Sequence, residues 1–386
     1  MSWEKVKLGE ISFCIQPGPF GSQLHNSDYA HEGTPIIMPK DMVDGHIRHT
    51  GLIRVPEEHV ARLQRHQVCA GNLMVARKGD VRKCVYITEN ENGWLTGSDC
   101  LKVALNENVC FPKYIYYQLR SPYIGRWLEQ ISIGATMPSI NTGLLSGIEM
   151  YLPSLEIQRR IADILSAYDD LIENNRKQIK LLEEAAQRLY KEWFVDLRFP
   201  GHEHTKIVDG VPEGWEESGL SRIAEFKRGK TITKAQIEPG TVPVVAGGLG
   251  PAYYHNVANT KAPVITVSGS GANAGFTRMY YTDVFASDCS FVDKSSCAFL
   301  PFVYCFLVSR KFELDSLQKG SAQPHVYAKD INSLHICIPN NDLLHRFCGL
   351  ADSLFSKIGL LEKQNNNLTQ ARDRLLPKLM SGEVEG

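Results

Sequence analysis

The sequence predicts an α+β protein: two similar, mostly β domains with short helices, separated by two long antiparallel coiled-coil helices, with approximate twofold symmetry in an internal repeat. Three observations predict it. The chain matches itself in a series of short motifs, each copy begins with short β-rich segments, and each copy ends in a long heptad pattern. A length of 386 residues and a mass of 43.2 kDa also favour more than one domain.

The repeat is visible in short motifs. Gly-Ala-Thr-Met-Pro at 134–138 recurs as Gly-Ser-Ala-Gln-Pro at 320–324, an offset of 186, and Tyr-Leu-Pro at 151–153 recurs as Cys-Ile-Pro at 337–339 at the same offset. Upstream, Trp3 matches Trp215 at an offset of 212 and Asp99 matches Asp288 at an offset of 189. The falling offset predicts that the second copy is shorter in its loops. We therefore expect a first head over 1–153, a central helix over 154–199, a linker over 200–211, a second head over 212–339 and a C-terminal helix over 340–386.

Each head has the texture of a β domain. Short β-branched and aromatic runs at 35–38, 73–76 and 85–88 are separated by Gly, Pro, Asn and Asp. The second copy repeats this texture at 243–246, 263–267 and 283–286, so the two heads should share one fold.

The end of each copy steps by alternating four and three residues, which is the spacing of a coiled-coil seam. The seam residues are Ile161, Leu165, Tyr168, Ile172, Asn175, Ile179 and Leu182 in the first copy and Leu354, Ile358, Leu361, Asn365 and Leu368 in the second. Asn175 and Asn365 suggest that the two helices pair with each other, since one buried Asn commonly sets register. Arg372 interrupts the second seam. The alternative is an amphipathic helix packed on its own domain, but about 35 residues, or about 50 Å, favours a rigid spacer.

Other residues of the helices are given simpler interpretations. The carboxylate pairs at 169–170 and 183–184 are predicted to lie on outer, solvated faces. Trp193 and Phe194 end the first helix and are expected to be buried, with anchoring of a partner as the alternative.

Composition excludes several classes of protein. A net charge of -1 means that any site for a polyanion must be local. Ten cysteines scattered singly predict reduced thiols and a cytoplasmic protein. No apolar stretch approaches the roughly 18 residues that a membrane-spanning helix needs.

Known catalytic motifs do not match. Gly229-Lys-Thr lacks the leading glycine of a phosphate loop, and the Gly-rich run at 269–275 does not open an amphipathic helix. His202 and His204 have no further metal ligands that the sequence identifies. The sequence therefore predicts no catalytic residue, no metal and no cofactor bound by this chain.

A set of motifs resembles the specificity subunit of type I restriction-modification systems. They are Gly-Pro-Phe-Gly-Ser at 18–22, Gly-Asn-Leu-Met-Val-Ala-Arg-Lys-Gly at 71–79, the two Gly-x-x-x-Pro elements, Gln-Arg-Arg-Ile-Ala-Asp-Ile-Leu at 158–165 and Leu-Leu-Pro-Lys-Leu-Met-Ser-Gly-Glu at 375–383. The resemblance implies that the heads are target-recognition domains, each reading half of a bipartite, asymmetric double-stranded DNA site, while the helices set the spacing.

The resemblance also implies partners. These are two modification (adenine methyltransferase) subunits and, in the full complex, restriction/translocase subunits. S-adenosylmethionine, ATP and Mg²⁺ would be used by those other subunits. A stiff strut fits this function, since two readers of one duplex must keep helical phase at about 34 Å per turn.

Candidate DNA contacts are basic and amide side chains in loops. They are Lys40, Arg77, Lys78, Arg82, Lys83, Ser139 and Asn141 in the first head and Lys227, Arg228, Lys230, Arg278, Gln323 and His325 in the second. Aligning Gly79 with Gly271 puts Arg77 on Gly269, Lys78 on Ser270, Arg82 on Ala274 and Lys83 on Gly275. The heads should therefore read different sequences. The alternatives are a solvated hairpin tip and an ordinary strand-to-helix turn.

Two other functions stay open at this point. A structural adaptor with protein-binding heads would show no sequence-dependent effect on DNA. An enzyme with an unfamiliar site between head and helix would need a catalytic cluster, and the sequence contains none that we identify in either copy.

Overall fold

A computed structural model of the chain describes residues 3–132, 138–319 and 324–384. The chain divides into two compact units: unit 1 comprises 1–172 and 367–386, and unit 2 comprises 173–366. Each unit therefore contains one head and part of both long helices.

The strands of unit 1 are β1 (Glu4–Lys7), β2 (Ser12–Pro17), β3 (Thr34–Ile37), β4 (Met42–Val43), β5 (His46–Ile47), β6 (Arg54–Val55), β7 (Leu73–Ala76), β8 (Cys84–Tyr86), β9 (Leu95–Thr96), β10 (Cys100–Leu105) and β11 (Glu149–Leu152). The unit is centred on an antiparallel sheet with strand order β2-β10-β7-β8. Its helices are α1 (Glu57–Val60), α2 (Pro112–Leu119), α3 (Pro122–Ile131), α4 (Thr142–Ser146) and the first half of α5 (Leu155–Tyr190). β7 is buried on both faces, which explains its uninterrupted apolar sequence.

The strands of unit 2 are β12 (Ile207–Val208), β13 (Val211–Pro212), β14 (Glu216–Gly219), β15 (Lys227–Arg228), β16 (Val242–Val245), β17 (Tyr253–His255), β18 (Val264–Ser268), β19 (Thr277–Tyr280), β20 (Phe285–Ala286), β21 (Cys289–Asp293) and β22 (His335–Ile338). Unit 2 repeats the central sheet of unit 1 with the order β15-β21-β18-β19. Its helices are the end of α5, α6 (Leu300–Ser309), α7 (Lys311–Ser316), α8 (Ala328–Asn332) and the start of α9 (Asn341–Ser381).

Residues that the sequence offsets relate make equivalent hydrogen bonds in the two units. The Leu8 N–H donates to Ile148 O at 2.8 Å, and the Leu220 N–H donates to Leu334 O at 2.9 Å. These pairs differ by the predicted 212 and 186 residues. In each unit this bond lies beside a short antiparallel pair, β1 with β11 and β14 with β22. The repeat is therefore one architecture built twice.

Gly18 and Gly229 hold equivalent positions where two backbone segments touch. The Gly18 N–H donates to Cys100 O at 3.1 Å, and the Gly229 N–H donates to Cys289 O at 2.8 Å. A Cβ on Gly229 would overlap the carbonyl oxygen of Ser287. Backbone cannot yield as a flexible side chain can, so both positions need glycine.

Replacing Gly229 should destabilise unit 2. We expect Gly229→Ala to lower the free energy of unfolding by about 1–3 kcal/mol, because overpacking forces the backbone to move. Gly349→Ala is the matched control: Gly349 lies inside α9 with no atom within 4 Å of its added Cβ. The control should stabilise by up to about 1 kcal/mol, since alanine favours a helix. Thermal unfolding measures both, and equal midpoints for the two variants would contradict the close approach.

The two long helices run antiparallel. In unit 2 the Asn175 Nδ2 donates to Asn365 Oδ1 at 2.9 Å, and the ring of Tyr190 lies 6.1 Å from that of Phe347. Residue numbers therefore fall along α9 in the direction in which they rise along α5. The predicted fold class is confirmed: two mixed, mostly β heads of one architecture and two long antiparallel helices.

The predicted seam residues all face inward to some degree. Ile161, Leu165, Ile172, Asn175, Ile358 and Leu361 are buried, and Tyr168, Ile179, Leu182, Leu354, Asn365 and Leu368 are half-buried. Trp193 is buried against Phe347, as expected. A coiled-coil seam buries only two positions of each heptad. A residue next to the seam is therefore expected to be exposed, and one that is buried must pack against something other than the partner helix.

Asp169 is such a neighbour, and its predicted solvated position is wrong. The residue is 6% exposed, and its carboxylate accepts a hydrogen bond from the Tyr117 hydroxyl of α2 at 2.7 Å. Glu183 is also half-buried, and this burial raises its pKa. The physical reason is that the helices pack against the heads as well as against each other, so the buried stripe is wider than a coiled-coil seam.

Candidate nucleic-acid interface

In unit 1, the loop between β7 and β8 meets the segment that precedes α4. The Gly79 N–H donates to Pro138 O at 3.0 Å, and the Ile140 N–H donates to Arg77 O at 2.9 Å. These bonds place Lys78 opposite Ser139. Three of the candidate DNA contacts, Arg77, Lys78 and Ser139, are thus brought together.

Unit 2 builds the same junction. The Gly271 N–H donates to Pro324 O at 3.1 Å, and the Val326 N–H donates to Gly269 O at 3.1 Å. Gly271 is therefore the equivalent of Gly79, as the sequence alignment predicts. The residues that face each other here are Ser270 and His325.

The predicted match is wrong by one residue further along the loop. The Ala76 N–H donates to Lys83 O at 2.9 Å, whereas the equivalent Ser268 N–H donates to Phe276 O at 2.9 Å. Lys83 therefore corresponds to Phe276 rather than Gly275, and Arg82 corresponds to Gly275 rather than Ala274. The loop in unit 2 is one residue longer, which an ungapped alignment cannot show. The second head still lacks these charges.

Arg77 and Lys78 are held by their neighbours. The Lys78 Nζ lies 3.1 Å from Asp99 Oδ1, and the Arg77 guanidinium lies 5.9 Å from the centre of the Phe20 ring. The Arg77 N–H donates to Asp99 O at 2.7 Å. Asp99 thus fixes the loop through both backbone and side chain, while Lys78 keeps 46% of its side chain exposed. Contacts with Asp99 and Phe20 therefore hold the two cationic side chains in place at the surface.

Arg82 and Lys83 lie at the far end of this loop, and Lys40 lies beside them in the turn that follows β3. The Arg82 Nε lies 3.1 Å from Asp80 Oδ1 and 3.3 Å from Glu129 Oε1, and the bond to Asp80 raises the pKa of Arg82. The Lys83 Nζ donates to Pro39 O at 2.9 Å, beside the exposed Lys40. Arg82 and Lys83 line a groove of about 560 Å³. Two carboxylates already balance Arg82, whereas Lys40 is exposed.

In unit 2 the basic residues lie on a different segment, at and just after the edge strand β15. Lys227 and Arg228 form β15, and Lys230 follows the close approach at Gly229. All three side chains are exposed, and within 3–132, 138–319 and 324–384 none of them has a carboxylate oxygen within 4.0 Å. Arg228 and His325 line one small cavity of about 30 Å³, so this segment adjoins the Ser270 junction.

The remaining candidates have structural partners. The Arg278 Nη2 lies 3.1 Å from Glu362 Oε1 of α9, and its guanidinium lies 4.8 Å from the Tyr280 ring centre. The Asn141 Oδ1 accepts from the Leu144 N–H at 2.8 Å and so caps α4. Gln323 lies outside the described residues. The assignment of all these side chains to DNA stays a prediction.

Three residues at the junctions were not among the candidates. Asp99 and its counterpart Asp288 anchor the loops; the Ser270 hydroxyl donates to the Asp288 carboxylate. Tyr327 stacks on His325 with ring centres 6.0 Å apart. The signal for the aspartates was present in the sequence, since Ser-Asp-Cys occurs at 98–100 and again at 287–289.

Two buried thiols lie on strands of the central sheets, Cys84 at the start of β8 and Cys289 at the start of β21. Burial raises the pKa of Cys84 and of Cys289 to about 12, so these thiols are protonated at neutral pH. Among the residues that the structure describes, no group of three His, Cys, Asp or Glu could hold a metal ion. Nor does the described part of the chain contain a helix long and apolar enough to cross a membrane.

Comparison with known structures supports the fold. The type I restriction-modification system S subunit from M. genitalium, known from a crystal structure, superposes with a TM-score of 0.59 at 19% identity. The superposition covers 98% of this chain and 96% of that one.

Sequence relatives span the same length. The type I restriction enzyme MjaIX specificity subunit of Methanocaldococcus jannaschii is 27% identical, with 99% of this chain and 93% of the relative aligned. The HindI specificity subunit of Haemophilus influenzae is 22% identical, with 99% of both chains aligned. The family model for the type I restriction modification DNA specificity domain matches twice, at residues 2–184 and 212–370. The two matches coincide with the two copies of the repeat, and the chain belongs to the family of type I restriction-modification DNA specificity subunits.

Proposed function

We propose that each head reads one half of a bipartite, asymmetric DNA site, and that the chain itself catalyses no reaction. One observation carries this proposal: the two heads build the same hydrogen-bonded junction but present different side chains on it. Head 1 offers Arg77, Lys78 and Ser139, whereas head 2 offers Ser270 and His325. Equivalent sites with unlike donors suit two half-sites of unlike sequence.

The chemistry of these side chains fits the grooves of DNA. Arginine and lysine pair with the O6 and N7 of guanine, while serine and histidine suit less base-specific polar contacts. The exposed Lys40, Lys227, Arg228 and Lys230 suit phosphates, which supply affinity without sequence information. A net charge of -1 fits such local contacts.

The remaining parts of the proposal concern the assembly. The long helices set the distance between the half-sites and dock two modification (adenine methyltransferase) subunits, and restriction/translocase subunits join in the full complex. S-adenosylmethionine, ATP and Mg²⁺ belong to those subunits, and the complex acts in the cytoplasm. In support, α5 and α9 contain 36 and 41 residues, enough for a strut of more than about 50 Å.

Mapping of methylated adenines at single-molecule resolution tests this function. A host that carries this gene beside its methyltransferase gene should methylate one bipartite motif with two different halves. Deleting only this gene should abolish that methylation, because the methyltransferase subunit then has no reader. As a control, restoring the gene on a plasmid should return the same motif. Methylation that survives the deletion unchanged would favour a protein-binding adaptor instead.

A further inference from the structure

A buried polar network joins three elements of unit 1. Asp169 of α5 accepts hydrogen bonds from the Tyr117 hydroxyl of α2 at 2.7 Å and from the Arg372 Nη1 of α9 at 2.5 Å. The Arg120 Nη1 lies 3.8 Å from the same carboxylate. The side chains of Asp169 and Arg372 are only 8% and 13% exposed. Head 1 and both long helices therefore meet at one carboxylate.

The second repeat, in unit 2, has apolar side chains at the positions equivalent to Tyr117, Asp169 and Arg372. The Gly125 N–H donates to Ser121 O at 2.9 Å, and the Leu314 N–H donates to Arg310 O at 3.0 Å, an offset of 189 between the heads. With that offset, and 186 in the helices, the counterparts of Tyr117, Asp169 and Arg372 are Phe306, Phe355 and Ala186. All three counterparts are buried in the core of unit 2.

This comparison separates stability from specificity. Since unit 2 forms the same architecture with apolar residues, the fold does not require the ion pair. Buried ion pairs are often no more stabilising than apolar residues of similar volume, and their best-attested use is to specify register. A shift of one helix along the other would leave Asp169 buried away from Arg372, whereas an apolar contact tolerates a small shift.

We propose that Asp169 and Arg372 are positioning residues that fix the axial register of α5 against α9 beneath head 1, and thereby the length of the gap in the recognised DNA. This inference rests on the proposed function, in which the helices set that gap. Tyr117 orients the carboxylate, so the head is tied to the same register. The network acts through the helices and does not contact DNA.

Replacing the three residues by their apolar counterparts from unit 2 tests the proposal in the full chain. The triple variant Tyr117→Phe, Asp169→Phe and Arg372→Ala should fold and form the complex. Its unfolding midpoint should exceed that of Asp169→Phe alone, which leaves Arg372 without its buried partner. Methylation of sites whose gap differs by one base pair, relative to sites with the native gap, should rise about tenfold or more. The two half-site sequences should stay the same, because the reading loops are untouched.

Several outcomes decide the matter. Asp170→Asn, an exposed neighbour on α5, should leave the gap preference as in the wild type. A triple variant that folds and keeps the native gap preference would overturn the proposal. Should it not fold, the near-isosteric pair Asp169→Asn and Arg372→Met poses the same question, and an unchanged gap preference would again overturn it. If the wild-type chain itself directs no bipartite methylation, the proposed function fails rather than this inference.

Discussion

Lengthening both long helices by three heptads is expected to increase the gap of the recognised site by about one turn of DNA. Twenty-one residues add about 32 Å to a helix, close to the roughly 34 Å and 10 base pairs of one turn. The insertions belong after Ile172 in α5 and before Asn367 in α9, where the boundary between the compact units crosses both helices. Every contact between a head and its own helix segments is then preserved, and three whole heptads keep the seam in phase.

An insertion of one heptad provides the contrast. It adds about 10 Å, or about three base pairs, which turns the DNA by about a third of a revolution between the half-sites. Both heads cannot then face their grooves, so methylation should fall to background. Mapping of methylated adenines reports both variants. If the three-heptad variant folds and still methylates sites with the native gap, the helices do not set the spacing.

The repeat and the long helices could be predicted because their signals are local and periodic. The seam steps by three and four residues, and Asn175 meets Asn365 as the pattern suggests. A fully buried strand such as β7 is equally plain, since its observed bounds Leu73–Ala76 coincide with the apolar run. The predicted strand at 283–286 shrinks to Phe285–Ala286, because the Val284 N–H instead donates to the Thr260 side-chain hydroxyl at 3.1 Å. A side chain that bonds a distant loop leaves no trace in local sequence.

The position of Asp169 shows where periodicity stops being informative. A heptad assigns each residue by its relation to one partner helix, and Asp169 falls outside that seam. Packing of α2 against α5 buries it, and its charge is matched by Arg372, which is more than 200 residues away. In the other repeat the equivalent position is Phe355, which is buried. An apolar residue at this position indicates burial directly, whereas a carboxylate does not. Only the comparison of the two copies distinguishes a buried carboxylate from a solvated one.

The candidate interface was predictable in its loops but not in its free charges. The sequence shows Lys, Arg, Ser and Asn in the segments that form the loops of the interface. The structure shows that Arg82 and Arg278 are paired with carboxylates, while Lys40, Lys227, Arg228 and Lys230 are exposed. Such pairing depends on Glu129 and Glu362, which belong to other elements. The electrostatic character of a loop is set by its neighbours in space.

Removing the charges of Lys227, Arg228 and Lys230 together should weaken binding of the assembled complex to all DNA sequences alike. Each phosphate contact contributes about 0.9 to the slope of log K against log salt. Replacing the three residues with glutamine should therefore reduce the magnitude of that slope by about 2.7, with a loss of affinity on the order of a few hundredfold at 0.1 M salt. Fluorescence anisotropy over a salt series, on duplexes with and without the motif, measures both quantities.

The control removes the same charge elsewhere in unit 2. Lys261, Lys294 and Lys357 are exposed and lie outside the junctions, so their replacement by glutamine lowers the net charge equally. This variant should change the slope by well under one unit, because screening at these salt concentrations leaves only direct contacts effective. Equal slopes for the two triple variants would mean that β15 does not face phosphate. A loss confined to duplexes that carry the motif would instead mean that these residues read bases, since phosphate contacts carry no sequence information. The salt series thus assigns the segment to affinity or to specificity.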